Sequence, residues 1–307
     1  MEEGKLQVEL SPQEFASLKM DFSNNARDTV YIIMYKLRLY YNRENQILII
    51  CDPESALHER ATGAFIEMVV KGAHAILKDS GFDSTFISQL RAVYSPGITS
   101  DSLDTTFKPD NGIKFGSYSR IPQLIVEAGV SQSYKRLIHK AGRWLRDFLG
   151  CQIVILVVVK ERRRYKPPAR PYNFIGQHER QQRYMLRYFR NCRDKRHLLG
   201  PFIYNSHTWF EGVVDLFIEE VRLDTNKKLQ TCRVQLIKSG VDVSQTEPRN
   251  AWRICLGDLI PEVALSNKAK RSLLVDFFDQ ETYLAAVRQG AIDFAVERFV
   301  GWVRHSQ

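Results

Sequence analysis

The middle of the chain contains three apolar patterns that predict a strand, a helix and a second strand. Residues 124–126 are a short apolar run typical of a strand buried on both faces, and Glu127 stands at its end. Residues 133–149 carry apolar side chains at helical spacing, and residues 153–159 contain no polar residue. This order predicts two parallel strands joined by a right-handed crossover.

Similar patterns predict further elements on both sides of this segment. Ser11, followed by a proline and by Glu14, predicts the capped start of a short helix. The remaining predictions are a β-hairpin at 30–51, a strand at 86–94, a second hairpin at 209–238 that extends the central sheet, a basic turn at 267–271 and a terminal helix at 282–303. Strands and helices thus occur along the whole chain.

A long helix is predicted from about residue 55 to Lys78, because a capping segment precedes it and Gly81 follows it. One of its faces combines an acid with mostly apolar residues, namely Glu59, Thr62, Ile66, Val70, Ala73 and Leu77. Glu59 is therefore a candidate functional acid. Alternatively, it is an ordinary carboxylate at a helix start, where it suits the helix dipole.

A second acid, Asp110, precedes Glu127 by 17 positions and follows a proline. Two carboxylates on adjacent strands can share a hard cation such as Mg²⁺, which prefers oxygen ligands. The metal would polarise a phosphodiester and lower the pKa of an attacking water. The two acids therefore favour a metal-dependent nuclease, and the alternative is that each is a capping or solvated carboxylate.

Composition limits the class of protein. With 307 residues, 44% hydrophobic and 26% charged, the chain can form one large globular domain or two modest ones. The first residues lack the pattern of a secretory signal, and the longest apolar run has seven residues, so we expect a protein that is neither secreted nor membrane-spanning. Five cysteines without paired spacing predict thiols in a reducing compartment, the nucleus or cytoplasm.

Four features occur in the order of a known family. They are the tyrosine-rich hairpin at 35–51, Ser55 with His58 at the helix start, Pro109-Asp110, and the segment 127–133 with the sequence Glu-Ala-Gly-Val-Ser-Gln-Ser. With these features the chain resembles the PD-(D/E)XK restriction-endonuclease-like superfamily over about residues 35–159. The individual motifs are short, so their order carries the resemblance.

The resemblance implies an α/β fold and a metal-dependent nuclease (hydrolase) acting on DNA or RNA. The restriction-endonuclease-like core would have a mixed central sheet flanked by helices. The C-terminal hairpin and helical extension are predicted from the sequence patterns alone, because the resemblance ends near residue 159. Asp110 and Glu127 would hold Mg²⁺ or Mn²⁺, the main-chain carbonyl of Ala128 would add a ligand, and Glu59 could assist. The corresponding division is an N-terminal helical segment at 1–29, the core at 30–160, a basic insertion at 161–200, and a hairpin with helices packing on the core at 201–307.

The chain departs from the superfamily at one position. The usual lysine lies two residues after the glutamate, where this chain has Gly129. In the related branch a lysine comes from the following helix, and Lys140 has a similar offset and a stem long enough to reach the strand. Gln132 is another candidate, and Lys140 could equally be a solvated helix cation. A catalytically inactive member of the lineage is therefore the second hypothesis.

The basic residues are concentrated after the core. Residues 160–196 contain 13 Lys or Arg and three acids, a balance of +10, whereas the whole chain carries +9. Arginines share a stripe of a helix predicted at 177–193, with Met185, Tyr188, Phe189 and Cys192 turned another way. With Tyr165, Tyr172 and Tyr184 nearby, they suit a phosphate backbone and unstacked bases. The candidate nucleic-acid-binding residues are Arg162, Arg163, Arg164, Arg180, Arg183, Arg187 and Arg190.

Other interpretations of the basic segment remain open. It could be a nuclear-import signal, a surface for an acidic protein partner, or an ordinary solvated helix. If the acids play no catalytic role, an interaction scaffold is the third hypothesis. Nucleic acid is the expected partner, a membrane is not expected, and a homodimer is left open.

Overall fold

The computed structural model describes residues 5–9, 11, 13–14, 38–42, 47–51, 55–94, 98–99, 106–107, 109–117, 121–130, 133–163, 165–168, 178–191, 198–243, 252 and 254–305. The strands are β1 (Lys5–Glu9), β2 (Arg38–Asn42), β3 (Ile47–Cys51), β4 (Leu90–Tyr94), β5 (Ile98–Thr99), β6 (Thr106–Phe107), β7 (Asn111–Phe115), β8 (Leu124–Val130), β9 (Ile153–Glu161), β10 (Phe202–Tyr204), β11 (His207–Phe210), β12 (Val213–Leu223), β13 (Leu229–Lys238) and β14 (Val241–Asp242). The helices are α1 (Ala56–Asp79), α2 (Ser84–Ile87), α3 (Tyr134–Asp147), α4 (His178–Asn191), α5 (Leu256–Leu259), α6 (Lys268–Arg271) and α7 (Gln280–His305).

The chain divides into two units, residues 1–55 with 97–108, and residues 56–96 with 109–307. In the first unit β1, β3 and β2 form an antiparallel sheet, which confirms the predicted hairpin over 38–42 and 47–51 and adds the strand β1 that we did not predict. Residues 30–37 and 43–46 of the predicted hairpin lie outside the described residues. The Ser11 N–H donates to Glu14 Oε2 over 2.7 Å, and the Glu14 N–H donates to Ser11 Oγ over 3.3 Å, as the predicted helix start requires.

The predicted domain boundaries do not coincide with this division. Residues 15–37 lie outside the described part of the chain, so the rest of the N-terminal helical segment stays a prediction. The hairpin was expected to belong with residues 30–160, whereas the structure groups it with residues 97–108. All candidate catalytic and metal-binding residues lie in the second unit.

A mixed seven-stranded sheet forms the centre of the second unit, with strand order β14-β13-β12-β9-β8-β7-β4. In this sheet β8 and β9 run parallel, as predicted, and the other neighbouring strands are antiparallel. The hairpin of β12 and β13 joins the sheet through β9, which confirms the predicted extension. The protein is thus a mixed α/β protein with helices flanking the sheet.

The two faces of β8 contact different helices. Leu124, Val126 and Ala128 belong to the larger hydrophobic core together with Phe65 of α1. Because side chains alternate along a strand, Glu127 points to the opposite face, where α3 packs against β8 and β9. Glu127 therefore sits between the sheet and α3.

Helix α7 packs along α1, as expected for a terminal core helix. A Cβ atom on Gly290 would lie 2.9 Å from Leu57 Cα, so glycine permits the close approach of the two helices. The Ala56 N–H donates to Glu297 Oε2 over 3.2 Å. The last helix thereby contacts the first turn of α1, which carries His58.

Four sequence predictions need correction. β8 continues three residues past Glu127, because pairing with β9 persists to Val130. The strand predicted at 86–94 is preceded by α2, which Asp83 caps by accepting the Phe86 N–H over 2.8 Å. The strand predicted from 209 to 223 is two strands, β11 and β12, because Gly212 between them has φ +88°. The basic turn at 267–271 is the short helix α6.

From the sequence we expected no membrane-spanning segment and cysteines that are thiols. Within the described ranges, no helix is both long and apolar enough to cross a membrane. Cys151, Cys232 and Cys255 are thiols rather than disulfides, as predicted for them. Cys192 lies outside the described residues, and the side chain of Cys51 is not described.

Candidate active site

Asp110 is buried at the bend that precedes β7. Its Oδ2 accepts the main-chain N–H of Ala128 over 2.6 Å, and the same oxygen is hydrogen-bonded to His58 Nε2. His58 comes from α1 and Ala128 from β8. Asp110 therefore links a helix on one face of the sheet to the strand that carries Glu127.

The residue after Asp110 is fixed by the same helix. Asn111 Nδ2 donates to Thr62 Oγ1 over 2.6 Å, and Thr62 Oγ1 donates to the His58 carbonyl over 3.0 Å. His58 and Thr62 are one helical turn apart, so α1 binds two successive residues at the start of β7. This double attachment sets the position of the Asp110 carboxylate.

Glu127 is buried on β8, and both of its carboxylate oxygens accept hydrogen bonds from α3. Lys140 Nζ donates to Oε2 and Trp144 Nε1 donates to Oε1, each over 2.6 Å. Lys140 and Trp144 are four residues apart, which places them on one face of the helix. The Lys140 side chain is 23% exposed, so its ammonium connects the buried Glu127 with the protein surface.

Burial is the main influence on the ionisation of Glu127. Desolvation raises its pKa to about 7, the Asp110 carboxylate contributes in the same direction, and the Lys140 ammonium and Trp144 N–H act against both. Burial also raises the pKa of the neighbouring Cys151 thiol, with a smaller contribution from Glu127. Near neutral pH, Glu127 can therefore hold or release a proton.

The structure brings together most of the predicted catalytic residues. Asn111 of β7 pairs with Val126 of β8, so the preceding Asp110 lies beside Glu127 and Ala128, and Lys140 reaches Glu127 from α3. Lys140 is thus an ion-pair partner, which excludes the interpretation as a simply solvated cation. Gln132, the other candidate for the lysine position, lies outside the described residues.

The structure does not bring Glu59 to the site formed by Asp110, Glu127 and Lys140. It is exposed in the first turn of α1, as the alternative of an ordinary carboxylate at the helix start expects, whereas Thr62, Ile66, Ala73 and Leu77 of the predicted stripe are buried. At about 100° per residue, the buried face of α1 spans the directions from Leu57 to Leu77, and His58 points along its middle, whereas Glu59 lies at its margin. The side chain that reaches Asp110 from α1 is accordingly His58.

The donor atoms at the site are suited to a hard cation. Among the described residues, no three His, Cys, Asp or Glu side chains form a group that could hold a metal ion. The site offers the carboxylates of Asp110 and Glu127 and, in addition, main-chain oxygen. Because the N–H and C=O of a strand residue point to the same side, the Ala128 carbonyl faces the side of Asp110. Carboxylate and carbonyl oxygens are ligands that Mg²⁺ accepts.

A second buried acid, Glu219 of β12, lies on the same face of the sheet and was missed by the sequence analysis. Glu127 and Glu219 both pair with Leu156 of β9, one from each side. Glu219 accepts the Tyr134 O–H over 2.6 Å and Arg233 Nη2 over 3.1 Å. The signal in the sequence was a pair of adjacent acids, 219 and 220, after the apolar run 216–218 of the same strand.

Glu220 points to the opposite face and belongs to a different network. Arg222 hydrogen-bonds to Glu220 and donates to Asp258 Oδ1 and Oδ2 over 2.7 and 3.0 Å. Asp258 also accepts the Cys255 N–H over 2.8 Å. This geometry joins β12 to α5, which is a structural role.

The basic segment is described in part. α4 confirms the predicted helix, with exposed Arg183, Arg187 and Arg190 and with Met185 and Phe189 buried. Tyr188 is exposed, and it turns about 100° away from Arg187 around the helix, as predicted.

Of the other residues predicted to belong to the basic segment, the structure describes some and leaves others outside its described ranges. Arg162 and Arg163 are exposed after β9, whereas Arg164, Tyr172 and the Arg180 side chain lie outside the described residues. Tyr165 is half-buried, with its ring 4.6 Å from the Arg298 guanidinium, so it contributes to packing.

Two comparisons with known proteins found no relative of this chain. No protein-family model matches the sequence. The curated proteins likewise include none with significant similarity to it. A functional assignment must therefore rest on the residues and their geometry.

Proposed function

We propose that this chain is a metal-dependent phosphodiesterase that cleaves DNA or RNA. The observation that carries the proposal is the meeting of Asp110, Glu127 and Lys140, which come from three separate elements. In the sequence, Asp110 and Glu127 were selected as two acids on neighbouring strands, and Lys140 was selected by its offset in a branch of the PD-(D/E)XK superfamily. Agreement between the motif order and the contacts supports a restriction-endonuclease-like core.

The charge balance at the site is consistent with a bound cation. Asp110 and Glu127 are buried side by side, and burial, together with the neighbouring Asp110 carboxylate, raises the pKa of Glu127 against the opposing effect of the Lys140 ammonium. The carboxylates of Asp110 and Glu127 and the carbonyl of Ala128 would hold Mg²⁺ or Mn²⁺. The bound ion would polarise the phosphodiester and lower the pKa of the attacking water.

The remaining residues position these groups. His58 and the Ala128 N–H hold the Asp110 carboxylate, and Trp144 holds one oxygen of Glu127. Lys140 is partly exposed, so its ammonium would contact a substrate phosphate and stabilise the charge that develops on it. Gly129 leaves the usual lysine position without a side chain, and Lys140 supplies the missing charge.

A second candidate function is nucleic-acid binding without cleavage. The observation that favours it is that both oxygens of Glu127 are already hydrogen-bonded, to Lys140 and Trp144. A metal ligand would have to exchange at least one of these bonds. In this case Arg183, Arg187 and Arg190 would bind the phosphate backbone, and the site between β8 and α3 would only stabilise the fold.

Cleavage assays separate the two functions. Labelled single-stranded and duplex DNA and RNA are incubated with the full chain in Mg²⁺, in Mn²⁺ and in EDTA. The proposal expects cleavage that needs the metal and falls by about 10³-fold in Asp110→Asn and Glu127→Gln. Glu262→Gln, at an exposed carboxylate, is the matched control and should cleave normally.

Three results would contradict the catalytic proposal. Cleavage that persists in both Asp110→Asn and Glu127→Gln would assign the activity to other residues or to a contaminant. Salt-sensitive binding without any cleavage by the unmodified chain would select the binding function. Absence of both binding and cleavage at low salt would leave the interaction scaffold.

A further inference from the structure

Exposed aromatic side chains form a continuous patch beside the arginines of α4. We define the tyrosine patch as Tyr184 and Tyr188 of α4 with Tyr204 of β10. Tyr184 is 63% exposed and Tyr188 45%. Such large apolar side chains gathered at one place on a surface are typical of a binding site.

The ring of Tyr204 connects the patch with the interior. Its centroid lies 6.4 Å from that of Tyr184 and 5.9 Å from that of Tyr188. On its other side, Tyr204 contacts the buried rings of Phe189 and Phe299, with centroids 6.4 and 6.2 Å away. The two exposed rings are therefore supported by packed aromatic residues, which favours a preformed surface.

The arginines lie immediately next to the tyrosines around the helix. Arg183 precedes Tyr184 and Arg187 precedes Tyr188, so each cation is about 100° from a ring when viewed along the helix axis. Met185 and Phe189 follow the tyrosines and are buried on the far side. The exposed side of α4 thus presents a row of cations parallel to a row of rings, and residues 183–191 include no acid.

We propose that the tyrosine patch and Arg183, Arg187 and Arg190 bind single-stranded nucleic acid. Bases would stack on Tyr184 and Tyr188, and the arginines would contact the phosphates. A duplex hides the faces of its bases, so it could use the arginines but not the rings. The inference specifies the substrate class of the proposed nuclease, and it applies equally if the chain only binds.

Binding assays in EDTA test the patch without cleavage. A fluorescein-labelled single strand of about 20 nucleotides, longer than one typical site, is compared by anisotropy with its duplex. Tyr184→Ala/Tyr188→Ala should weaken single-strand binding by roughly 10- to 100-fold and duplex binding by less than about 3-fold. Tyr184→Phe/Tyr188→Phe keeps the rings and should bind within about 3-fold of the unmodified chain.

Further variants control for charge and for loss of an exposed ring. Tyr94→Ala removes a tyrosine that is 59% exposed on β4, and it should leave binding unchanged. Arg183→Gln/Arg187→Gln should weaken single-strand and duplex binding alike and reduce the salt dependence by about one to two phosphate contacts. Thermal unfolding of each variant establishes that it folds.

Three outcomes would overturn the inference. They are equal losses for single strand and duplex in the tyrosine-to-alanine variant, no loss in that variant, or no single-strand binding by the unmodified chain. A failure of the proposed nuclease gives a different result, because single-strand binding would stay sensitive to the tyrosines while no cleavage depended on Asp110. Conversely, Asp110-dependent cleavage with tyrosine-independent binding rejects only the patch.

Discussion

Two buried carboxylates on the same face of the central sheet differ in how their charge is compensated. Glu127 pairs with the ammonium of Lys140 and lies beside a second acid, Asp110, and burial raises the pKa of Glu127 to about 7. Glu219 instead accepts an arginine and a tyrosine hydroxyl. That arginine, Arg233, also lies 3.9 Å from the centre of the Phe217 ring.

The comparison separates a candidate catalytic acid from a structural one. A buried carboxylate held by an arginine and a hydroxyl has its charge and its hydrogen bonds satisfied. A carboxylate with a raised pKa beside a second acid retains a need for positive charge, which is common at functional sites. We therefore assign chemistry to Glu127 and fold stability to Glu219, and the two can be tested against each other.

The largest expected difference concerns the cations that pair with the two acids. Lys140→Met should lower kcat for cleavage by roughly 10²- to 10³-fold, because the phosphate loses a preorganised positive charge. Arg233→Met should change kcat by less than about 3-fold, although it reduces stability. Single-turnover cleavage rates and urea unfolding provide the two readouts. Similar kcat losses in both variants would remove the functional distinction.

The next largest expected effect is the loss of folding stability when Glu219 is replaced. Glu219→Ala leaves the Tyr134 hydroxyl and Arg233 without their carboxylate, and we expect a loss of about 2 kcal/mol in the free energy of unfolding. The side chain of Arg233 is 41% exposed and can recover water, which keeps the loss below that of a fully buried pair. Urea denaturation measures it, with Glu262→Ala as the surface control. A loss under about 0.5 kcal/mol would argue against a structural role.

The raised pKa of Glu127 predicts a pH dependence of stability. Between the ordinary glutamate pKa of 4.5 and the raised pKa of about 7, the folded chain holds a proton at Glu127 that the unfolded chain has lost. Stability relative to Glu127→Gln should therefore fall as pH rises through this window, by about 2 to 3 kcal/mol. Urea unfolding of both proteins in EDTA between pH 4.5 and 7.5 tests the sign. A difference that stayed constant or grew would show that Glu127 is not protonated in this range.

The smallest effects concern single hydrogen bonds from α3. Tyr134→Phe removes one donor to Glu219, and Trp144→Phe removes one donor to Glu127, so each should cost about 1 kcal/mol of stability. Only Trp144→Phe should also move the window of pH-dependent stability upward, because its N–H lowers the pKa of Glu127. Urea unfolding across the same pH range distinguishes them. An equal shift of the window in both variants would contradict the assignment.

The elements around Glu127 could be predicted because their patterns are strong. The apolar strand at 153–159 and the amphipathic helix at 133–149 agree with β9 and α3. The offset of Lys140 was sufficient to suggest its reach to Glu127. Lys140 lies one helical turn before Trp144 on α3, and its long flexible stem brings the ammonium to Glu127.

The missed residues depend on tertiary contacts that periodicity cannot show. Trp144 was interpreted as apolar, and its role as a donor is defined only by the acid that α3 covers. Glu59 was considered a candidate functional acid because a helix wheel does not show which residues of the first turn are exposed, and Glu59 is one of them. Glu219 and Arg233 meet across two strands, in a register that the turn at 224–228 sets. The resemblance drew attention to Asp110 but did not identify Thr62 and Asn111 as its supports.

The pairing of β12 with β9 has a practical consequence for anyone who shortens the protein. The resemblance ends near residue 159, but a fragment cut there would leave β9 as a bare sheet edge made of apolar, β-branched residues. Such an edge recruits strands from other molecules, so the fragment should self-associate and precipitate. The smallest fragment of the second unit that does not self-associate must therefore retain at least the β12–β13 hairpin, although this hairpin supplies none of the proposed catalytic groups.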